Sequence, residues 1–306
     1  MKTFITSLLI LIGASIFIVS CGEDSGSGTN SPNSGGSAAP AFGLNLGIPG
    51  VPGNAFGYAQ AGLTLLSSFT IPPESEDAWG QAIAISVTND TPIVSDQRLN
   101  DYVAMVGYTV ADGTPHPDGN YVFGVLDTDR VGAYSGPNGY VMITRGSIMH
   151  MRDESELAGV LGHEMAHVCH HDGLHAIQTA KRSDAVAQAA STAIGNNDRT
   201  GAFNCVVDLG LDTIVKKGYD RSQELDADRD AVKYIAAAGY DPAGYERFVN
   251  RIADEQGGKQ TDLFSTHPGF NERRGVVATA VRDTGRAGQG ATMRERFDAE
   301  TASIRK

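Results

Sequence analysis

Positive charge is what this sequence has little of. Its 306 residues carry 24 Lys and Arg against 36 Asp and Glu, a formal net charge of −12 at pH 7. No basic run stands out against that balance. Nucleic acid and anionic membrane surfaces both reward clustered Lys and Arg, so no nucleic acid is expected as a partner. Cysteine is scarce too, with three residues at positions 21, 169 and 205. There is no internal repeat, and no low-complexity block beyond the one near the N-terminus. Hydrophobic residues make up 41% and charged residues 20%, the balance of an ordinary soluble domain, and the length suits one domain with appendages.

The first twenty residues stand apart. Lys2 gives a short positive start, Phe4 to Val19 is an apolar run broken only by small residues, and the run ends in Ser20-Cys21. A plain secretory signal ends in a small-x-small cleavage site. Here the cysteine resembles the bacterial lipoprotein signal, in which that residue is lipidated and begins the mature chain; an uncleaved anchor is the alternative. Either way the rest of the chain is expected outside the cytoplasm, on the periplasmic side of a bacterial envelope. A lipidated Cys21 would carry more than one acyl chain, as stable membrane anchoring requires. Gly22 and Glu23 follow, with no Asp at the second position. By resemblance to the sorting rule of Gram-negative lipoproteins, that favours the outer membrane. Residues 21–54 are biased to Gly, Ser, Asn and Pro and read as a flexible tether. Cys169 and Cys205 then remain in an oxidising compartment, which suggests one disulfide, with two unpaired thiols as the alternative.

From residue 55 the chain reads as one α+β domain. Apolar residues at helical spacing mark helices over Ala55–Phe69, Glu76–Val87 and Asp96–Val110, broken by Pro72-Pro73 and by Asn89-Asp90 with Pro92. The pattern then changes. Val122, Gly124 and Leu126 alternate, Tyr140 to Thr144 is rich in β-branched and aromatic residues, and Gly136-Pro137-Asn138-Gly139 between them is a turn signal. This predicts a small, partly antiparallel sheet. Asp153 with Glu156 three residues on caps a helix that can run to His171 or Asp172, with Gly173 as terminator. Another helix spans about Ser222–Ala238, closed by Gly239 and Pro242. The remainder is mixed and ends in a charged helical tail.

The chemistry concentrates at His163-Glu164-Met165-Ala166-His167. The two His are i and i+4, so their imidazoles leave one helix face a turn apart, a separation that suits a shared tetrahedral Zn²⁺ at about 2.0–2.1 Å. Glu164 sits about 100° further round and can take the proton of a water that the ion acidifies as it attacks a peptide carbonyl. Three fixed residues are weak evidence alone, so context decides. A metzincin continuation is absent: His170 stands where its Gly would be, and Gly173 where its last His would be. His171 shares the face but lies two turns, about 12 Å, from His163. His170, His171 and His175 are expected at the rim. A later helix offers Glu224-Leu225-Asp226-Ala227-Asp228. Glu224 can complete a His₂Glu site, and Asp228, one turn on, can hold the outer nitrogen of a ligand His. The bland alternative is a solvated acidic face, which is the reading for Asp226 and Asp230.

These residues, taken in order, resemble metallopeptidase family 48, the HtpX and CAAX prenyl-protease group. The resemblance runs from about Glu74 to Arg274. It includes Leu99 to Val103, Gly139 to Gly146, Glu156 to Gly162 leading into the His163 helix, Arg221, Glu224, Ala227-Asp228, Ala238 to Pro242, Ser265-Thr266-His267-Pro268 and Arg273. It implies a mainly helical, zincin-like domain over residues 55–306 with one Zn²⁺ per chain, held by His163, His167 and Glu224, with Glu164 as general base. It further implies His267 near the metal and Arg221 and Arg273 as partners in the cleft. It makes the strand Tyr140, Val141, Met142, Ile143, Thr144 the edge on which an extended substrate aligns, as in β-strand addition. Two positions depart from the family pattern: Gly132-Ala133-Tyr134 replaces Asn-Ala-Phe, and Asp220 stands where a Ser often precedes the Arg. Both bear on cleft shape rather than on the metal set.

The function so implied is a lipid-anchored zinc endopeptidase acting on unfolded, misfolded or envelope proteins. One alternative is a chaperone-like assembly lipoprotein whose protease site is latent, with His267 closing the open metal position. Another is a binding lipoprotein with a vestigial site.

Overall fold

The computed structural model describes residues 76–181, 212, 218–255 and 270–305. The signal, the tether, the helix expected over 55–69, Cys21, Cys205 and His267 lie outside the described residues. Where the chain is described, the architecture is α+β: helices around one small three-stranded sheet. No helix among the described residues is long and apolar enough to cross a membrane.

Helices α1 (Glu76–Asp90) and α2 (Gln97–Ala111) come first. Asp96 caps α2 by accepting from Leu99 N. Leu99, Tyr102, Val103, Val106 and Val110 then form its buried stripe, the period of a helix with one face in a core. Three strands follow: β1 (Val122–Leu126), β2 (Ala133–Gly136) and β3 (Tyr140–Thr144). β1 runs parallel to β3, Val122 opposite Tyr140 and Leu126 opposite Thr144. β2 runs antiparallel to β3, Ala133 opposite Ile143 and Gly136 opposite Tyr140. The Pro137–Gly139 turn that joins β2 to β3 has Asn138 at φ 59° and Gly139 at φ 93°, left-handed conformations that Asn and Gly tolerate best. The turn is where the sequence places it, but β2 before it had no visible signal.

The sheet order β1-β3-β2 corrects one expectation. Tyr140 to Thr144 is the central strand, hydrogen-bonded on both sides, so it offers no edge to a substrate. The reason is the turn itself: it folds Ala133–Gly136 back along β3 and makes β2 the edge.

Next come α3 (Arg145–His150), α4 (Glu154–Cys169) and α5 (Asp172–Lys181). Every residue of α4 from Glu154 to His167 is buried, as befits a helix enclosed on all sides. Its acidic start is held by Glu154, which accepts from Tyr102 Oη at 2.9 Å, Tyr240 Oη at 2.7 Å and the Arg296 guanidinium. Gly173 does not stop this helix. The chain breaks at His171, which takes φ 56°, and Gly173 falls inside α5.

Helix α6 (Arg221–Ala237) is opened by an Asp220/Gln223 capping box. It closes at Gly239 (φ 90°), with Tyr240 N returning to Ile235 O, as the sequence predicts. Helices α7 (Ala243–Glu255), α8 (Phe270–Asp283) and α9 (Arg294–Glu300) complete the described fold. The main core joins α2, the sheet, α4, α6, α7 and α8.

Candidate metal centre

The site forms where α4 lies against α6. His163, Glu164 and His167 on α4 and Glu224 and Asp228 on α6 are all buried. The two imidazoles meet with Nε2 atoms 3.2 Å apart. Glu224 faces both rings, with Oε2 3.5 Å from His163 Nε2 and Oε1 3.5 Å from His167 Nε2. Among the described residues, these three form the group able to present one donor atom each within 4.8 Å of one another.

Each imidazole is oriented from behind. His163 Nδ1 lies 3.2 Å from Asp228 Oδ1, the partnership expected for Asp228. His167 Nδ1 lies 2.8 Å from Asp172 Oδ2, a partner the sequence does not reveal. Asp172 is five residues past His167, off the helical face, and arrives only because the chain turns at His171. Its other oxygen accepts from Gln223 Nε2 at 2.6 Å. The ring of Tyr219 covers His167 at 4.1 Å. When each Nδ1–H is given to a carboxylate, each Nε2 presents a lone pair toward the other.

Arg273 on α8 braces the α6 carboxylates. Its Nε and Nη2 donate to Asp228 at 2.8 and 2.7 Å, and its Nη1 is 3.2 Å from Glu224 Oε2. Tyr245 on α7 adds an Oη–H to Asp228 Oδ1 at 2.7 Å. Tyr245 can come so close because Gly159 faces it: a Cβ on Gly159 would lie 2.5 Å from the Tyr245 Cβ. Burial disfavours the Asp228 charge, but the Arg273 charge and the adjacent His163 imidazole outweigh it and hold the carboxyl well below the usual range. Asp172 is held low in the same way, burial being outweighed by the hydrogen bond from His167 and the nearby His170 imidazole. Burial also works against a charged His167, yet Asp172 and Glu224 lift its pKa to about 9. The centre attracts positive charge.

This arrangement suits a divalent cation. Ligands of a tetrahedral Zn²⁺ at about 2.0–2.1 Å stand about 3.3 Å from one another, and the measured separations are 3.2, 3.5 and 3.5 Å. Two facing imidazole lone pairs repel unless a positive charge, a proton or a metal ion, stands between them. Four carboxylates, from Glu164, Asp172, Glu224 and Asp228, stand against the single guanidinium of Arg273. The residues present fit the metal.

Glu164 is buried beside the donor set, and Ser135 Oγ on β2 donates to its Oε2 at 2.8 Å. Ser135 lay outside the sequence-based expectations. Strand β2 had no sequence signal, so nothing pointed to a hydroxyl meeting the base.

Other expected residues go elsewhere. Arg221, at the exposed start of α6, pairs with Glu272 rather than entering the cleft. His170 Nε2 bonds Asp230 Oδ2 at 2.9 Å, so Asp230 is not simply solvated. With His175, His170 lines a polar cavity of about 480 Å³ beyond Asp172. His171 Nδ1 meets Glu76 at 2.9 Å. Among the described residues Cys169 carries a free thiol; Cys205, the partner expected for it, lies outside them. The Cys169 Sγ faces inward to Tyr121 Oη at 3.6 Å, and burial pushes the thiol pKa up.

The model of peptidase family M48 matches residues 97–279, a stretch that contains the whole centre. The chain is 30% identical over 156 residues to metalloprotease LoiP of Escherichia coli, covering 50% of this chain and 58% of that one. It is 29% identical over 189 residues to metalloprotease YcaL of Escherichia coli, covering 61% and 68%. It is 23% identical over 207 residues to the beta-barrel assembly-enhancing protease of Yersinia pestis, covering 65% and 42%. The match therefore spans from about two fifths to two thirds of these relatives' own length.

Proposed function

The chain belongs to peptidase family M48, and from that premise we propose that it is a zinc-dependent endopeptidase with Glu164 as general base. One observation carries the reading: the buried His163, His167 and Glu224 donors converge, and the Glu164 carboxylate stands next to them on the same helix.

Zinc, when bound, would polarise the scissile carbonyl and acidify the attacking water. Around it the chain divides the labour. His163 and His167 offer Nε2 lone pairs; Asp172 bonds His167 Nδ1 and fixes that ring, and Asp228 lies 3.2 Å behind His163 Nδ1. Glu224 supplies the anionic donor while Arg273 keeps its carboxylate and that of Asp228 from repelling each other. Glu164 takes the proton of the attacking water and can return it to the leaving amide nitrogen.

Strand β2 supplies the seat for an extended substrate. The Thr144 N to Gly132 O bond sets the phase of the β2–β3 ladder. Tyr134 and Gly136 thus bond toward β3, and Ala133 and Ser135 turn their backbone groups outward. A peptide added along that edge would bind through main-chain hydrogen bonds with little side-chain preference. Unfolded or misfolded proteins, including those of the envelope, are the substrates this favours. The name of the Yersinia pestis relative, which refers to β-barrel assembly, supports proteins in the course of assembly. A lipidated Cys21 would hold the enzyme at the membrane, with the outer membrane favoured.

A second reading is an assembly factor with a latent protease site. It is favoured by the Tyr219 hydroxyl, which already donates to the outward Ser135 carbonyl at 3.1 Å. A substrate amide would have to share or displace it.

The test is hydrolysis of casein or another unfolded protein by the purified protein, with metal analysis alongside. Wild type should carry one zinc and cleave. Glu164→Gln should carry zinc and not cleave, and Glu224→Ala should lose the metal. Zinc-loaded wild type no more active than Glu164→Gln would overturn the endopeptidase reading and leave the latent one.

A further inference from the structure

We infer that Ser135 is a positioning residue for the general base: its hydroxyl, carried on the strand that would seat substrate, holds the Glu164 carboxylate in working orientation. The inference rests on the peptidase reading above and adds to it a residue outside the metal set.

Ser135 is 2% exposed, and its Oγ donates to Glu164 Oε2 at 2.8 Å. A hydroxyl so placed touches no donor of the metal set and is not needed to fill volume, since Ala would serve for packing at a buried strand position. What it adds is a directed bond to one carboxylate. A glutamate reaches its task through three side-chain torsions, and the last is broad and weakly held. A fixed donor on one oxygen narrows that freedom, which matters because small misplacements of a reacting group are costly. The hydroxyl can also follow the proton, donating to the carboxylate and accepting once the acid has formed.

Ser135 is itself held on two sides. Its strand pairs with β3, where it lies opposite Val141. Its carbonyl accepts from Tyr219 Oη, and the Tyr219 ring packs on His167. The backbone that would meet substrate and the side chain that meets the base thus belong to one residue. Seating a peptide on β2 and aligning Glu164 become parts of one event. Because the side chain does not face the substrate edge, its loss should act on turnover and not on binding.

The test compares Ser135→Thr, which keeps the hydroxyl, with Ser135→Val, which has the same shape without it. Ser135→Ala removes the hydroxyl without added volume, should the larger side chains disturb the strand. With zinc content and thermal midpoint matched, kcat is expected to be about ten-fold lower in Ser135→Val and Ser135→Ala than in Ser135→Thr. KM should stay unchanged. In crystals, the Glu164 carboxylate should keep its place in Ser135→Thr and turn away or split in Ser135→Ala. Equal kcat across the three variants, an effect confined to KM, or a Glu164 that does not move would overturn the role. A zinc-loaded wild type that cleaves nothing overturns the peptidase reading instead, and the crystal comparison still decides for or against Ser135.

Discussion

At the scale of single residues, the two carboxylates behind the imidazoles do the same job under different constraints. Asp228 is wholly buried and held by Arg273, Tyr245 and His163. Asp172 lies at the start of α5 and shares its oxygens between His167 and Gln223. Removing either charge should weaken zinc binding by about 10–100-fold, measured by competition with a chromophoric chelator. Folding stability should separate them. Asp228→Asn leaves a buried guanidinium short of a counter-charge and should cost about 3–5 kcal/mol in denaturant melts, while Asp172→Asn should cost clearly less. Equal losses would mean that the Arg273 cluster does not carry the weight assigned to it. His170 gives a prediction in pH. Its pKa is raised, first by the Asp172 carboxylate, whose Oδ2 lies 3.7 Å from Nδ1, and, against the opposing effect of burial, by the bond to Asp230. A group raised on folding stabilises fully below its unfolded value, near 6.5, and loses that contribution as pH rises through its folded value. The stability gap between wild type and His170→Gln should therefore be present at pH 6 and shrink toward pH 9. A gap that grows over this range would contradict the pairing.

At the scale of elements, the centre depends on α4, α6 and α7 approaching closely, and glycine permits one of those contacts. A Cβ on Gly159 would sit 2.5 Å from the Tyr245 Cβ, so Gly159→Ala must displace α7 or distort α4. The cost should be about 1–3 kcal/mol, with weakened zinc binding because Tyr245 carries Asp228. Thermal unfolding and metal titration of one preparation would check both. What was legible beforehand follows from where the signals lay. His163, Glu164 and His167 sit on one helix, so local periodicity displayed them. Glu224 and Asp228 repeat that spacing on a second helix, so one turn of α6 could be matched to one turn of α4. Asp172 opens α5 just past a turn in the chain, and Ser135 lies in a very short strand. Asp172 depended on a left-handed His171 that no residue type advertises, and Ser135 on a four-residue strand too short to show alternation. The misplaced edge has the same origin. Tyr140 to Thr144 looks like a strand in isolation, but whether a strand is central or marginal is a property of its neighbours. The turn at Pro137–Gly139 was visible; the strand it folds back was not.

At the scale of the whole molecule, the centre ties together segments far apart in the chain: α4, α6 and α8 each contribute a charged group, and no local structure holds those charges at this separation. The metal should therefore act as a folding ligand as well as a catalytic one. An ion that binds the native state stabilises it by RT ln(1 + [L]/Kd), about 2.7 kcal/mol at a hundred times Kd. For a domain of roughly 150–250 residues, each kcal/mol moves the midpoint about 2–4 °C. Chelation should thus lower the thermal midpoint by about 5–10 °C, and zinc should restore it. The clamp at Glu154, which joins α2, α9 and Tyr240 without touching the donors, provides the contrast. Arg296→Ala should also lower the midpoint, yet its response to zinc should stay that of wild type, because it weakens the frame and leaves the ligands in place. Glu224→Ala should lose the zinc response altogether. If Arg296→Ala also abolished the response, the frame and the centre would form one cooperative unit, and the stabilisation could not be assigned to the three ligands alone.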